Sequence, residues 1–203
     1  MIRIVPLDAR SWEAFAEFGR SNESSDLRWC WCQYWRLRSK DFGALKVPEL
    51  RARLAAQAAS PEPPGLVALE SAFDAEAGEA ERAVGWVSLG PLVTFERIVR
   101  SRVIPRVDAR PVWSIVCFSV AASARGRGVG TSLLEAAIAH ARDRGASTVE
   151  AYPVVLEEDA AFGAAAAFTG TLSMFERAGF TVVADRASDP ASRYRRVVVR
   201  REL

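Results

Sequence analysis

One stretch of this 203-residue chain, residues 112–145, limits the possible fold more than any other. It predicts an apolar strand that ends at Val120, a tight loop of alternating arginine and glycine, and an amphipathic helix that Gly145 terminates. The start of a helix offers unpaired backbone N–H groups and a partial positive charge. Glycine lets the backbone adopt positive φ and lets an anion approach closely. The junction therefore predicts a phosphate site built from main chain, with Arg125 and Arg127 adding charged contacts.

The spacing of the loop excludes two common nucleotide motifs. The dinucleotide fingerprint needs Gly-x-Gly-x-x-Gly, whereas the glycines here alternate at 126, 128 and 130. A P-loop ends in Gly-Lys-Ser/Thr, and no lysine lies nearby. The remaining pattern is Arg-x-x-Gly-x-Gly, running from Arg125 to Gly130, five residues after the strand ends. With this motif the chain resembles the GNAT superfamily of acyl-CoA-dependent N-acyltransferases over about residues 80–200.

The resemblance implies acetyl-CoA as co-substrate and suggests which residues bind it. Pantetheine would pair with the end of the central strand, and the glycine loop would bind the pyrophosphate through backbone N–H groups. The predicted cofactor-binding residues are Phe118, Ser119, Val120, Arg125, Gly126, Arg127, Gly128, Val129, Gly130, Thr131 and Phe175. No metal is expected, because Cys-x-Cys supplies two ligands and the single histidine, His140, lies on a distant helix that we expect to turn it towards solvent.

The acid and base that the resemblance implies are both missing. Some members of the superfamily carry a glutamate base where this chain has Ser114, and many carry a tyrosine acid where it has Phe175. Alternation along the predicted strand over 148–153 puts Glu150 and Tyr152 on one face, so we hypothesise that Glu150 is the base and Tyr152 the acid. Two alternatives stay open: Glu150 meets solvent or an arginine, or the amine attacks directly with catalysis by proximity.

A dense aromatic cluster precedes the resembling region. Three of the six tryptophans fall within residues 29–35, interleaved with two cysteines. One interpretation makes Trp29, Cys30, Trp31 and Trp35 the wall of an acceptor pocket; the other makes the cluster a core plug that seats the loop on the sheet. A covalent route through the cysteines lacks support, because nothing in the sequence places a base beside them.

The predicted order of elements is β, α, α, β, β, β, α, β, α, β, β, in one domain over residues 1–203. It indicates an α/β fold: a mixed, mostly antiparallel twisted sheet flanked by helices on both faces. Two strands near 66–69 and 83–89 should pair antiparallel, with the acidic residues 70–82 as a solvated hairpin tip. Residues 156–168 are expected to form an insertion or flexible loop.

Charge and composition exclude several classes of protein. A formal net charge of +2 argues against a nucleic-acid binder, and no run of about 18 apolar residues could cross a membrane. Three cysteines and a start without a signal peptide's apolar centre lead us to expect a cytoplasmic protein. We expect an N-acetyltransferase of small-molecule primary amines. A protein or peptide amine acetyltransferase, a non-catalytic acyl-CoA-binding regulatory module, and homodimerisation through the last strands or residues 91–110 stay open.

Overall fold

The computed structural model of the chain describes residues 2–23, 25–74, 78–155, 168–185 and 195–203. Its strands are β1 (Ile2–Pro6), β2 (Gly65–Asp74), β3 (Gly78–Pro91), β4 (Trp113–Val120), β5 (Thr148–Ala151), β6 (Thr181–Asp185) and β7 (Val197–Glu202). Its helices are α1 (Trp12–Ser21), α2 (Leu27–Cys30), α3 (Ser39–Gly43), α4 (Val47–Ala58), α5 (Glu96–Val99), α6 (Val129–Asp143) and α7 (Leu172–Arg177). Most of the predicted insertion at 156–168, and the turn expected at 185–192, lie outside these described residues.

The described strands form one seven-stranded sheet in the order β1-β2-β3-β4-β5-β7-β6. Neighbours pair antiparallel except β4 and β5, which are parallel and joined through α6. A parallel pair needs a crossover connection, and the helix after the glycine loop supplies it. The predicted mixed, mostly antiparallel sheet is confirmed.

Helices cover both faces of this sheet, as adjacent residues of β3 show. A Cβ atom added to Gly85 would meet Val129 of α6 at 2.9 Å, so that face carries α6. The next residue, Trp86, points the other way and packs on Phe15 of α1 with ring centroids 4.7 Å apart. Because side chains alternate along a strand, α6 and the N-terminal helices lie on opposite faces.

The hairpin between β2 and β3 is longer than predicted. Of the residues 70–82 expected as a solvated tip, 70–74 and 78–82 continue the two strands, with Glu70 opposite Arg82 and Ser71 opposite Glu81. Arg82 donates to the Glu70 carboxylate at 2.9 Å, a cross-strand pair of opposite charges of the kind that stabilises an antiparallel ladder. The charged composition suggested a loop, whereas Glu70 and Arg82 form an ion pair across the two strands.

His140 also differs from its predicted exposed position. Its ring packs edge-on against Trp113 of β4, with centroids 5.9 Å apart, and the residue is half-buried. Burial, with a smaller contribution from nearby Arg144, lowers the pKa of His140 below its ordinary value. The ring therefore helps to seat the C-terminal part of α6 on the sheet.

Candidate active site

The glycine loop has the backbone conformation that its sequence predicts at two of its three glycines. Gly126 and Gly128 have φ values of 70° and 79°, in the region that favours glycine, and a Cβ at either would meet nothing within 4 Å. The requirement there is conformational rather than one of space. Gly130 lies inside α6 without a positive φ, so the expectation of positive φ was wrong at that position.

A cavity of about 290 Å³ lies beside this loop. Its lining includes Arg125, Thr131 and the three glycines, with Met174 and Arg177 contributed by α7. The start of α6 faces the same space, so unpaired backbone N–H groups and a helix dipole are available to an anion. Arg177 was missed by the sequence reasoning, because only the fold brings α7 to the loop.

Arg127 is engaged elsewhere. Its guanidinium donates to Glu70 Oε1 at 2.5 Å, and it is not among the residues lining the loop cavity. Hydrogen bonds from Arg127 and Arg82 lower the pKa of Glu70 to about 2, so this carboxylate is ionised at neutral pH. The predicted contact of Arg127 with a phosphate would have to compete with this ion pair.

The end of β4 connects the loop to a second cavity. β4 pairs with β5 only from Trp113 to Ile115, while its remaining residues stay paired with β3 alone. Beyond that point the backbone N–H of Phe118 donates to the carbonyl of Phe168 at 2.5 Å, and Ser119 accepts a hydrogen bond from Asn22 at 3.0 Å. The parallel strands thus separate at Phe118, Ser119 and Val120, where the sequence predicts pantetheine.

The second cavity has a volume of about 480 Å³ and lies where β4 and β5 diverge. Its walls include three aromatic residues and the three cysteines of the chain: Tyr34, Trp35, Phe168, Cys30, Cys32 and Cys117. Phe118, Ser119, Val120 and Arg125 also line it. Because Val120 and Arg125 line both cavities, the two cavities are neighbours along the end of β4.

Each of the two interpretations of the aromatic cluster holds for some of its residues. Cys30 and Trp35 line the cavity, as the pocket interpretation requires. Trp31 is 2% exposed and packs on α1, where a Cβ at Gly19 would come within 2.9 Å of its ring. Trp29 is 57% exposed and lies under Arg28. Trp31 is therefore the core plug, and neither it nor Trp29 is among the residues that line the cavity.

An unusual backbone turn produces this division. Trp31 and Cys32 both have positive φ, at 43° and 51°, which reverses the chain directly after α2. Trp86 donates its indole N–H to the Cys32 sulfur at 2.9 Å. A hydrogen bond with Cys32 and burial raise the pKa of Cys30, while a hydrogen bond with Cys117 and burial raise that of Cys32. Both thiols are therefore neutral at physiological pH.

Glu150 and Tyr152 lie on one face of the sheet, but beneath the cavity rather than in its wall. The Tyr152 hydroxyl donates to Glu150 Oε1 at 2.6 Å and lies 3.1 Å from the Ser114 hydroxyl. Arg200 donates to Glu150 Oε2 at 2.7 Å and to Asp108 at 2.6 Å. Burial and the neighbouring Glu150 carboxylate raise the pKa of Tyr152 well above its ordinary value. Both carboxylate oxygens of Glu150 thus accept hydrogen bonds already. One of the two donors is an arginine, which is the alternative partner that the sequence analysis left open.

Phe175 occupies the position where a tyrosine acid was expected by resemblance. It is fully buried, with its ring packed edge-on against Phe118 and Phe180 at centroid distances of 6.2 and 5.0 Å. Its neighbours Met174 and Arg177, rather than Phe175 itself, line the loop cavity. Phe175 therefore supports the end of β4 from below and offers no proton.

The part of the chain that the structure describes contains neither a metal site nor a membrane span. No group of three or more His, Cys, Asp or Glu side chains has an arrangement that could hold a metal ion. No described helix is long and apolar enough to cross a lipid bilayer.

Comparisons with known proteins agree with this fold. The model of the acetyltransferase (GNAT) family matches residues 27–180, more than half of the chain. The NatC complex bound to Gag peptide and CoA shares the fold at a TM-score of 0.57, with 17% identity over 100% of this chain and 98% of that one. Arabidopsis thaliana NAA60 in complex with acetyl-CoA has a TM-score of 0.54, with 12% identity and full coverage of both chains. Drosophila melanogaster polyamine N-acetyltransferase has a TM-score of 0.54, with 14% identity and full coverage of both chains. No curated protein sequence matches significantly.

Proposed function

The chain belongs to the GNAT family of acetyltransferases, and we propose that it transfers the acetyl group of acetyl-CoA to a primary amine of a small molecule. The observation that carries the proposal is the track that two neighbouring cavities define, from the glycine loop, past Val120 and Arg125 that line both, to the cavity of about 480 Å³. An elongated donor with a pyrophosphate at one end and a thioester at the other has the shape and chemistry of this track. The NatC and NAA60 structures hold CoA and acetyl-CoA, respectively, on the same fold.

The donor would bind mainly through main chain. Its pyrophosphate would lie on the start of α6, in the loop of Gly126 and Gly128, with Arg125 and Arg177 adding positive charge. Its pantetheine amides would pair with β4 at Phe118 to Val120 as an added strand, because β5 has diverged there. The thioester would then enter the cavity that Cys117 and Trp35 line.

In the proposed reaction, a neutral amine attacks the thioester carbonyl within a ternary complex. The new C–N bond forms as the carbonyl oxygen gains charge. The intermediate then loses a proton from its nitrogen and collapses, the C–S bond breaks, and the thiolate of CoA takes up one proton, so that no net proton is gained or lost. The raised pKa values of Cys30 and Cys32 favour this direct route, because an acyl-cysteine intermediate requires a thiolate.

We propose that Glu150 and Tyr152 transfer protons during the reaction without contacting the substrate directly. Neither lines the cavity, so a proton from the amine would reach Glu150 only through the Tyr152 hydroxyl and its Ser114 neighbour. Proximity of amine and thioester would supply most of the acceleration in such a site. Glu150→Gln tests this role: an unchanged pH dependence of kcat/KM would remove Glu150 from the proton path.

The proposed function is tested by measuring thiol release from acetyl-CoA across a panel of amines and one peptide with a free N-terminus. Turnover with small amines supports the proposal. Turnover confined to the peptide would identify a peptide acetyltransferase instead. CoA binding without turnover on any amine would identify a regulatory acyl-CoA-binding module.

A further inference from the structure

We infer that the acceptor is a primary amine attached to a compact apolar body, preferably aromatic, that carries no carboxylate. The inference rests on the proposed function and names the acceptor class for the same cavity. It is drawn from three properties of the cavity wall: its aromatic plates, its three thiols, and the placement of Asp26 and Arg125, the only charged side chains among the described residues that line it.

The aromatic plates provide a surface for a flat apolar group. Trp35 is stacked on Phe168, with an interplanar angle of 27° and centroids 6.2 Å apart, and Tyr34 meets Trp35 edge-on at 4.9 Å. Arg97 already lies 4.1 Å from the Tyr34 ring and is not among the residues lining the cavity. Offset or edge-on packing against such rings favours an aromatic ligand beyond the area that it buries.

The thiols extend the apolar part of this wall. Cys30, Cys32 and Cys117 are free and line the cavity together. Cys32 packs into the apolar cluster that contains Phe15 and Trp86, and Cys117 lies against the same cluster. A protonated cysteine behaves as a small hydrophobe with a weak donor. A strongly hydrated acceptor, such as a polyhydroxylated amine, would lose water there without replacement hydrogen bonds.

The two charges lie in positions that select against an acidic acceptor. Asp26 is exposed at the start of α2, where its carboxylate can attract an ammonium ion arriving from solvent. Arg125 also lines the loop cavity, where the proposed pyrophosphate would engage it. An acceptor carboxylate would therefore meet Asp26 as a like charge and find Arg125 already committed.

A matched pair of amines tests the inference directly. 2-Phenylethylamine and phenylalanine differ by one carboxylate, while spermidine supplies charge without an apolar ring. We expect kcat/KM for 2-phenylethylamine to exceed the values for phenylalanine and spermidine by about tenfold or more, a ratio that corresponds to about 1.4 kcal/mol. Equal or faster turnover of phenylalanine or spermidine would overturn the inference and leave the proposed acetyltransfer intact.

Two variants separate the contribution of the Asp26 charge to acceptor binding from that of the aromatic wall. Asp26→Asn should raise KM for 2-phenylethylamine several-fold with little change in kcat, whereas the matched control Asp143→Asn, on the exposed side of α6, should change neither. Trp35→Leu should reduce the preference for the aromatic amine over butylamine. An unchanged KM in Asp26→Asn together with an unchanged preference in Trp35→Leu would contradict the inference.

A binding measurement keeps the inference testable if no amine is turned over. Calorimetry on the protein saturated with CoA should detect 2-phenylethylamine and give weaker binding for phenylalanine and spermidine. Preferential binding without turnover would support the acceptor class while refuting the proposed function. Binding that favours phenylalanine or spermidine, or no binding of 2-phenylethylamine, would refute the acceptor class itself.

Discussion

Replacing Arg200 by methionine would expose how much the fold depends on the buried network beneath the cavity. The side chains of Arg200 and Glu150 are each 4% exposed and are joined at 2.7 Å. Methionine has an unbranched apolar side chain of similar length but no charge. The Tyr152 hydroxyl is then the remaining described donor to the Glu150 carboxylate. Removing one partner of a buried ion pair typically costs about 3–5 kcal/mol. We expect a loss of about 3 kcal/mol in unfolding free energy at pH 8, since Tyr152 still donates.

The loss should depend on pH with a defined sign. Without Arg200, the Glu150 carboxylate stays buried with no cationic partner, and burial of this kind disfavours the charged form of a carboxyl group. A group with a raised folded pKa destabilises the fold as pH rises through the unfolded value, because the folded state keeps a proton that the unfolded state releases. In the wild type, Arg200 also lowers the pKa of Asp108, a stabilising effect that is lost as pH falls. The Asp108 effect is the same at pH 5 and pH 8, because both lie above the unfolded value of about 3.9, so only the effect at Glu150 makes the penalty of Arg200→Met larger at pH 8 than at pH 5.

Urea unfolding followed by tryptophan fluorescence at pH 5 and pH 8 measures this difference, with six tryptophans as probes. The matched control is Glu150→Gln combined with Arg200→Met, which removes the orphaned charge and should recover about 2 kcal/mol at pH 8. A loss below about 1 kcal/mol, equal at both pH values, would refute the account of a buried charge that depends on its partner.

Three further outcomes are expected. Gly128→Ala should cost about 1–2 kcal/mol and weaken CoA binding, because alanine resists a φ of 79°, whereas Gly130→Ala within the helix should not lower the thermal midpoint. Glu70→Gln should tighten CoA binding several-fold in calorimetry by releasing Arg127; unchanged affinity would show that their ion pair does not compete with phosphate. His140→Phe should flatten the stability profile between pH 7 and 5: burial lowers the folded pKa of His140, so wild-type stability falls as pH drops through the unfolded value of about 6.5.

The sequence was most informative where structure is local. The strand, glycine loop and α6 follow from turn chemistry and helical periodicity within about 35 residues, and the positive φ at Gly126 and Gly128 follows from the same reasoning. The β2–β3 hairpin was predicted too short because its strand pairing is not a local property of the sequence. The charges at Glu70 and Arg82 suggested solvent, and their compensation depends on a strand register that only pairing defines.

The candidate site was harder to predict, because its residues meet through the tertiary fold. Trp31 and Trp35 are four positions apart, yet one is core and the other cavity wall, owing to a left-handed turn that tryptophan and cysteine rarely adopt. Likewise, alternation placed Glu150 and Tyr152 on one face, but nothing local indicated that Arg200, from β7, would bind the carboxylate. Sequence patterns defined the donor end of the track better than its acceptor end.

The hydrogen bond from the Phe118 backbone N–H to the Phe168 carbonyl bears on the order in which substrates bind. A pantetheine chain that pairs with Phe118 must first take over this donor, and the carbonyl that it displaces belongs to a residue stacked on Trp35. Binding of acetyl-CoA in the donor track would thereby rearrange one wall of the acceptor cavity. Steady-state kinetics should then show a compulsory sequence with acetyl-CoA adding first and CoA leaving last, and the product CoA should inhibit competitively against acetyl-CoA alone.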